Sequence, residues 1–126
     1  MKKFLIASCV AALALPTVAF ADVSAQATVA ANHAGMASKA DAVDMIHLHL
    51  HHVVNCLVGK DGTGYDIGSG NPCAKAGNGL IPEGSAAQKP KFQTALASAN
   101  AGIAATDLAT AQKDAAATAA AINSAK

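Results

Sequence analysis

The chain has 126 residues, of which 52% are hydrophobic and only 3% aromatic, with nine lysine and arginine residues against eight acidic ones. A near-neutral balance with no basic run and no interleaved aromatic residues argues against nucleic-acid binding. The length supports one domain with a modest core. From Asp22 onward Tyr65 and Phe92 are the only aromatic residues, so that core must come from Ala, Val, Leu and Ile, which suits close-packed helices.

At the start of the chain, Lys2 and Lys3 precede an apolar run from Phe4 to Leu15, and Ala19-Phe20-Ala21 forms an A-x-A site. These features predict a cleaved signal peptide over 1–21 and a single helical domain over 22–126. The apolar run is too short to stay in a bilayer, and no second one follows. The expected product is therefore soluble, and periplasmic or secreted. Cys9 leaves with the leader, and the two remaining cysteines, Cys56 and Cys73, are expected to pair in an oxidising compartment. Closing that loop contributes about 3 kcal/mol on the loop-entropy model. The spacing is neither C-x-x-C nor C-x-x-C-H, which gives no support to a thiol-redox motif or to covalent haem attachment.

The stretch over 24–58 reads as helix, free of proline and rich in good helix formers. Val43, Ile46, Leu50, Val53, Val54 and Leu57 fall on one apolar stripe, and Gly59 lies just beyond as a C-terminal stop. Gly35, and Ser38 followed by Asp41 three residues later, offer a second helix start within the stretch. The reading favours one long helix over two consecutive ones. Residues 59–89 are rich in Gly, Asn, Asp and Pro and form an ordered loop, its first half pinned by the disulfide. Ser85-x-x-Gln88 is a capping signal followed by Pro90, which predicts a short turn and then a helix over 90–124. That helix is rich in alanine. Phe92, Leu96, Ala99, Ile103, Thr106, Thr110, Ala117 and Ala121 would share one face, with Asn100, Asp107 and Asp114 along a solvated edge. The expected fold is all-α: an antiparallel helical hairpin with helices of roughly 52 Å and a disulfide-pinned Gly-rich loop. A homodimer making a four-helix bundle would bury more apolar surface than two helices can.

Chemistry concentrates in Asp41–Cys56, where His47, His49, His51 and His52 fall within six residues. Imidazole is a common transition-metal ligand. On a helix His47 and His51 are i and i+4 and share a face, with Asp44 one turn before and Asn55 one turn after. Asp44 is a candidate carboxylate ligand or an acceptor orienting His47. A second stripe carries Met45, His49, His52 and Cys56. Thioether with imidazole suits copper, whereas imidazole with carboxylate suits zinc, nickel or cupric ion. His33 pairs with Met36 but stands about 21 Å from His47 along an unbroken helix. It joins the site only if the helix breaks or a second subunit supplies it. One helix face offers two or three ligands, fewer than a closed structural zinc site requires. Asp61–Asp66 superficially resembles a calcium loop but lacks the acidic residues and the closing Glu. No nucleophile–base arrangement is present, so an enzyme is not expected.

An export signal, an alanine-rich helix bearing the histidines of Asp41–Cys56, and a short mature chain together resemble the small periplasmic histidine-rich metal-binding proteins. The resemblance implies periplasmic sequestration or buffering of a transition metal, copper first, with nickel or zinc as further candidates. The chain departs from that pattern in clustering its histidines and in carrying the disulfide loop. Three other readings compete. One is a structural or interaction module of the cell envelope. Another is a helical bundle holding haem through His47 or His51 and a Met, against which the scarcity of aromatic residues weighs. The third is a pH-responsive face of five imidazoles.

Overall fold

In the computed structural model, which describes residues 21–126, both long helices expected from the sequence are divided in two. The expected leader falls, except for Ala21, outside the described residues. Helix α1 spans Val23–Lys39 and α2 Val43–Val58; a single turn of helix, α3, spans Leu80–Glu83; α4 spans Lys89–Ala104 and α5 Leu108–Asn123. Among the described residues there is no strand.

Capping explains where several of these helices begin. Asp22 accepts the Ala25 amide at 2.8 Å, satisfying one of the free donors of the first turn of α1. Ser85 and Gln88 form the reciprocal pair that the sequence suggests, with Ser85 N donating to Gln88 Oε1 at 3.0 Å and Gln88 N to Ser85 Oγ at 3.3 Å. Pro90 then sits in the first turn of α4, where its missing N–H costs nothing.

The two breaks correct the expected hairpin of two unbroken helices. Ala40 (ψ 145°) and Ala42 (ψ 135°) are extended, and no side chain caps the start of α2. Alanine does not break a helix by preference, so the cause is tertiary. Folding back lets Ile46, Leu50, Val53, Val54 and Leu57 of α2 and Ala27, Ala30, Ala31, Ala34 and Ala37 of α1 enter one core, where all are buried. Gln112 of α5 completes the turn, its Nε2 donating to the Ala40 carbonyl at 2.8 Å. The second break has a local signal that the solvated-edge reading of Asp107 missed: Asp107 is the N-cap of α5 and accepts the Thr110 amide at 2.9 Å. The break also shifts the buried face, which passes through Phe92, Ala95, Ala99 and Gly102 in α4 and Ala111, Ala115, Thr118 and Ile122 in α5.

The four long helices close into a bundle within one chain, α1 packing on α2 and α5, and α4 on α5 and α2. Neighbours run antiparallel. The end of α1 meets the start of α5 through Ala40 and Gln112, and the start of α2 meets the end of α4 through His47 and Ala105. Alanines dominate the buried faces of α1 and α5, which lets these two backbones approach closely.

Residues 59–88 lie across the end of the bundle and are tied down at several points. Cys56 and Cys73 form a disulfide with Cα atoms 5.3 Å apart. The fully buried Asn55 donates from Nδ2 to the Asp66 and Gly70 carbonyls at 2.7 and 2.6 Å and accepts the Asp66 amide at 2.8 Å. Gln26, buried on α1, accepts the Gly79 amide at 3.1 Å and donates to Glu83 at 2.8 Å. Gly59 ends α2 with φ 73°, and a Cβ there would lie 1.7 Å from the Asn78 carbonyl oxygen; only glycine fits.

Candidate metal centre

The break at 40–42 brings α1 back along α2 and so places His33 opposite His49 and His52. His33 Nδ1 lies 3.3 Å from His49 Nδ1 and 3.3 Å from His52 Nδ1. All three side chains are half-buried, and their candidate ligand atoms lie within 4.8 Å of one another. Among the described residues this is the one set of three His, Cys, Asp or Glu side chains close enough to share an ion. The His33 and His52 rings meet edge to face at 4.8 Å between centroids.

The nitrogen spacing can be compared with what an ion requires. Zinc binds imidazole nitrogen at about 2.0–2.1 Å, and two such bonds at the tetrahedral angle hold their nitrogens about 3.3–3.4 Å apart. The two His33 contacts already have that spacing. Each neutral imidazole has one N–H, and His33 Nδ1 takes part in both contacts. One cation among the three nitrogens satisfies them together, which one proton on His33 Nδ1 does only in part. Three protein ligands leave one position of a tetrahedral ion open.

Electrostatics keep this cluster ready for a cation other than the proton. Partial burial, then the charges of His52 and His49, hold His33 below the usual histidine range; burial and His52 do the same for His49. Metal ligation requires the neutral imidazole, and these shifts extend its population to lower pH.

The pair favoured by spacing, His47 and His51, is given other partners. His47 Nε2 lies 3.0 Å from the Ala105 carbonyl oxygen, an acceptor at the C-terminal end of α4. His51 Nδ1 stands 3.5 Å from Asp66 Oδ2. The Asp66 carboxylate also accepts from Ser69 Oγ and the Gly68 amide, and these two bonds, with His51 contributing less, hold its carboxyl below the usual range. The two histidines share a helix stripe, but one is directed to α4 and the other to the loop. Asp44 is exposed in the first turn of α2, where a negative charge favours the helix dipole. Met45 is 45% exposed. Asn55, expected along the ligand stripe, instead clamps the loop. Cys56 and Cys73 are disulfide-bonded, so neither is a thiolate ligand in this state.

His33 is the member that spacing alone could not join to the others. The available signal was the helix start near Ser38-Asp41, which makes His33 a neighbour of α2 once it is taken as a break. Comparison with protein families, curated proteins and solved structures returns no match, so the chemistry of the site rests on its geometry.

Proposed function

We propose that this protein binds one transition-metal ion through His33, His49 and His52 and acts as an exported metal-sequestering or buffering protein rather than an enzyme. The observation that carries this is the convergence of three imidazoles whose ligand atoms lie within 4.8 Å of one another, with both His33 contacts at the spacing an ion imposes. Three ligands with one position open suit exchangeable binding more than a closed structural centre. The disulfide supports an oxidising compartment, and no helix of the described residues is long and apolar enough to cross a membrane. The periplasm is the compartment that fits the predicted leader.

Calorimetric titration of the oxidised protein with zinc, nickel and copper tests the reading. The expected result is one equivalent bound with a Kd of about 1 μM or tighter, some −8 kcal/mol. Binding is lost in His33→Ala and in His49→Ala/His52→Ala and kept in His47→Ala/His51→Ala. Wild-type protein that takes up no ion would sink the proposal. An envelope interaction module would then take its place, favoured by an open cleft of about 620 Å³ whose lining includes Val58, Ile81, Pro82 and Leu96. Haem binding through His47 or His51 and a Met draws no comparable support, since His47 is directed to the Ala105 carbonyl and His51 to Asp66.

A further inference from the structure

We propose that Met36 and Met45 supply thioether ligands to the histidine centre and make cuprous copper its preferred ion. This rests on the three-histidine site proposed above and names the ion it selects. Beyond Met1 these are the only methionines in the chain. Both stand within one helical turn of a histidine of the cluster. Met36 is three residues beyond His33 on α1, and Met45 four residues before His49 on α2; both spacings place side chains on one helix face. Because α1 and α2 run antiparallel, both steps lead toward the same end of the pair, the turn at 40–42. The two methionines therefore occupy positions on the turn side of the three histidines along α1 and α2.

A helical side chain leans toward the N-terminus of its own helix. Both members of each pair therefore lean the same way and keep their offset: Met36 and His33 lean toward the start of α1, Met45 and His49 toward the turn at 40–42. Met36 is 44% and Met45 45% exposed. The core is filled by Ala, Val, Leu, Ile and Phe92, with both methionines left out of it. Burial therefore does not account for their place on the seam. Leu48, 40% exposed, stands three residues after Met45 and four before His52.

Thioether sulfur is a soft ligand that selects cuprous ion, while imidazole alone also serves zinc, nickel and, most tightly, cupric ion. Methionine also has three rotatable bonds with which to swing its sulfur to an ion one turn away. On this assignment the histidines bind a range of divalent ions and the methionines add selectivity for copper in its reduced state.

The test measures cuprous affinity by chelator competition, without oxygen and with a reductant that leaves the disulfide intact. Zinc affinity is measured in parallel on wild type, Met36→Leu/Met45→Leu and His33→Ala. Leucine conserves volume closely, and thermal unfolding checks that the fold is kept. The double methionine variant is expected to lose at least about tenfold in cuprous affinity, about 1.4 kcal/mol, with zinc affinity within about twofold of wild type by the same scale. His33→Ala should lose both ions. X-ray absorption on the copper-loaded wild type should show sulfur bonded to copper, and the double variant should not. If wild type binds both ions and the methionine variant binds both equally well, the thioether assignment is overturned while the histidine site stands. Parallel loss of zinc and copper in that variant also overturns it, since the effect would then be on the fold. If wild type binds neither ion, the three-histidine site itself fails and the thioether assignment goes with it.

Discussion

The bundle consists of two helical hairpins of nearly equal size, and they do different work. In α1–α2 and in α4–α5 alike, a three-residue break turns what reads as one long helix back on itself. The first break brings His33 against His49 and His52 from 16 and 19 residues away. The second brings together alanines, glycine and Thr118, and neither α4 nor α5 contains a histidine, methionine or cysteine. The same fold-back device gathers a candidate site in one hairpin and a packing surface in the other. What separates them is which side chains flank the seam.

Breaking the tie that holds only the first hairpin should have the largest effect. The disulfide joins α2 to the loop, and Cys73 Sγ also lies 3.5 Å from the Gln26 carbonyl of α1. Cys56→Ser/Cys73→Ser should lower stability by about 3 kcal/mol, read as a shift in denaturant midpoint. Amide exchange should rise in α2 and the loop before it rises in α4–α5; uniform loss of protection would show that the two hairpins do not differ in this respect.

The ion should act in the opposite sense and on the same hairpin. At a free zinc concentration of 100 Kd, linkage predicts a gain of about 2.7 kcal/mol. That corresponds to roughly 10 °C or more in Tm for a domain of this size. A chelator should reverse the gain, and His33→Ala should abolish it. An equal shift in His33→Ala would place the ion elsewhere.

How much of this was legible in the sequence depends on whether the deciding contact was local. The helical content, the Gly59 stop, the Ser85–Gln88 capping pair and the pairing of Cys56 with Cys73 each rest on residues near in sequence or on cysteine arithmetic, and each is present. The break after Lys39 is closed by Gln112, 72 residues from Ala40, and no propensity of Ala40 or Ala42 announces it. With one long helix preferred over the helix start offered by Ser38 and Asp41, His33 lies out of reach of the site and the i, i+4 spacing of His47 and His51 makes the better pair. Spacing shows that two side chains share a stripe. It does not show that one end of the stripe meets Ala105 and the other Asp66.

Gln112 also provides a finer test of the comparison. Gln112→Ala removes a hydrogen bond from α5 to the turn of the first hairpin, at a cost of about 1 kcal/mol. It should also weaken zinc binding a few-fold, because that turn sets His33 against α2. Gln88 makes a similar bond within the second hairpin, to the Ala125 carbonyl at 2.9 Å. Gln88→Ala also loses the capping pair, so it should cost at least as much stability and leave zinc affinity unchanged. Equal effects on zinc would mean that the site responds to general loosening rather than to its own turn.

Acidification should separate the two hairpins with the smallest perturbation. His33 and His49 titrate below the ordinary histidine value of 6.5 when folded, so between the two values the folded state holds fewer protons than the unfolded one. Stability then rises with pH through that interval and is lost as pH falls from about 6.5 toward the folded values. Asp107 differs in sign and place: its Thr110 hydrogen bonds hold its carboxyl below the ordinary 3.8. The contribution of that cap is therefore present above 3.8 and lost only as pH falls through the lowered value. In metal-free protein, amide exchange near the α1–α2 seam should quicken on going from pH 7 toward 5, after correction for the intrinsic rate, while the Thr110 amide stays protected until well into the acid range. His33→Gln should diminish the first step and leave the second in place. If both hairpins lose protection over one interval in wild type and variant alike, the histidine seam is not a separately titrating part of the fold, and the division between a chemical hairpin and a packing hairpin does not extend to their stabilities.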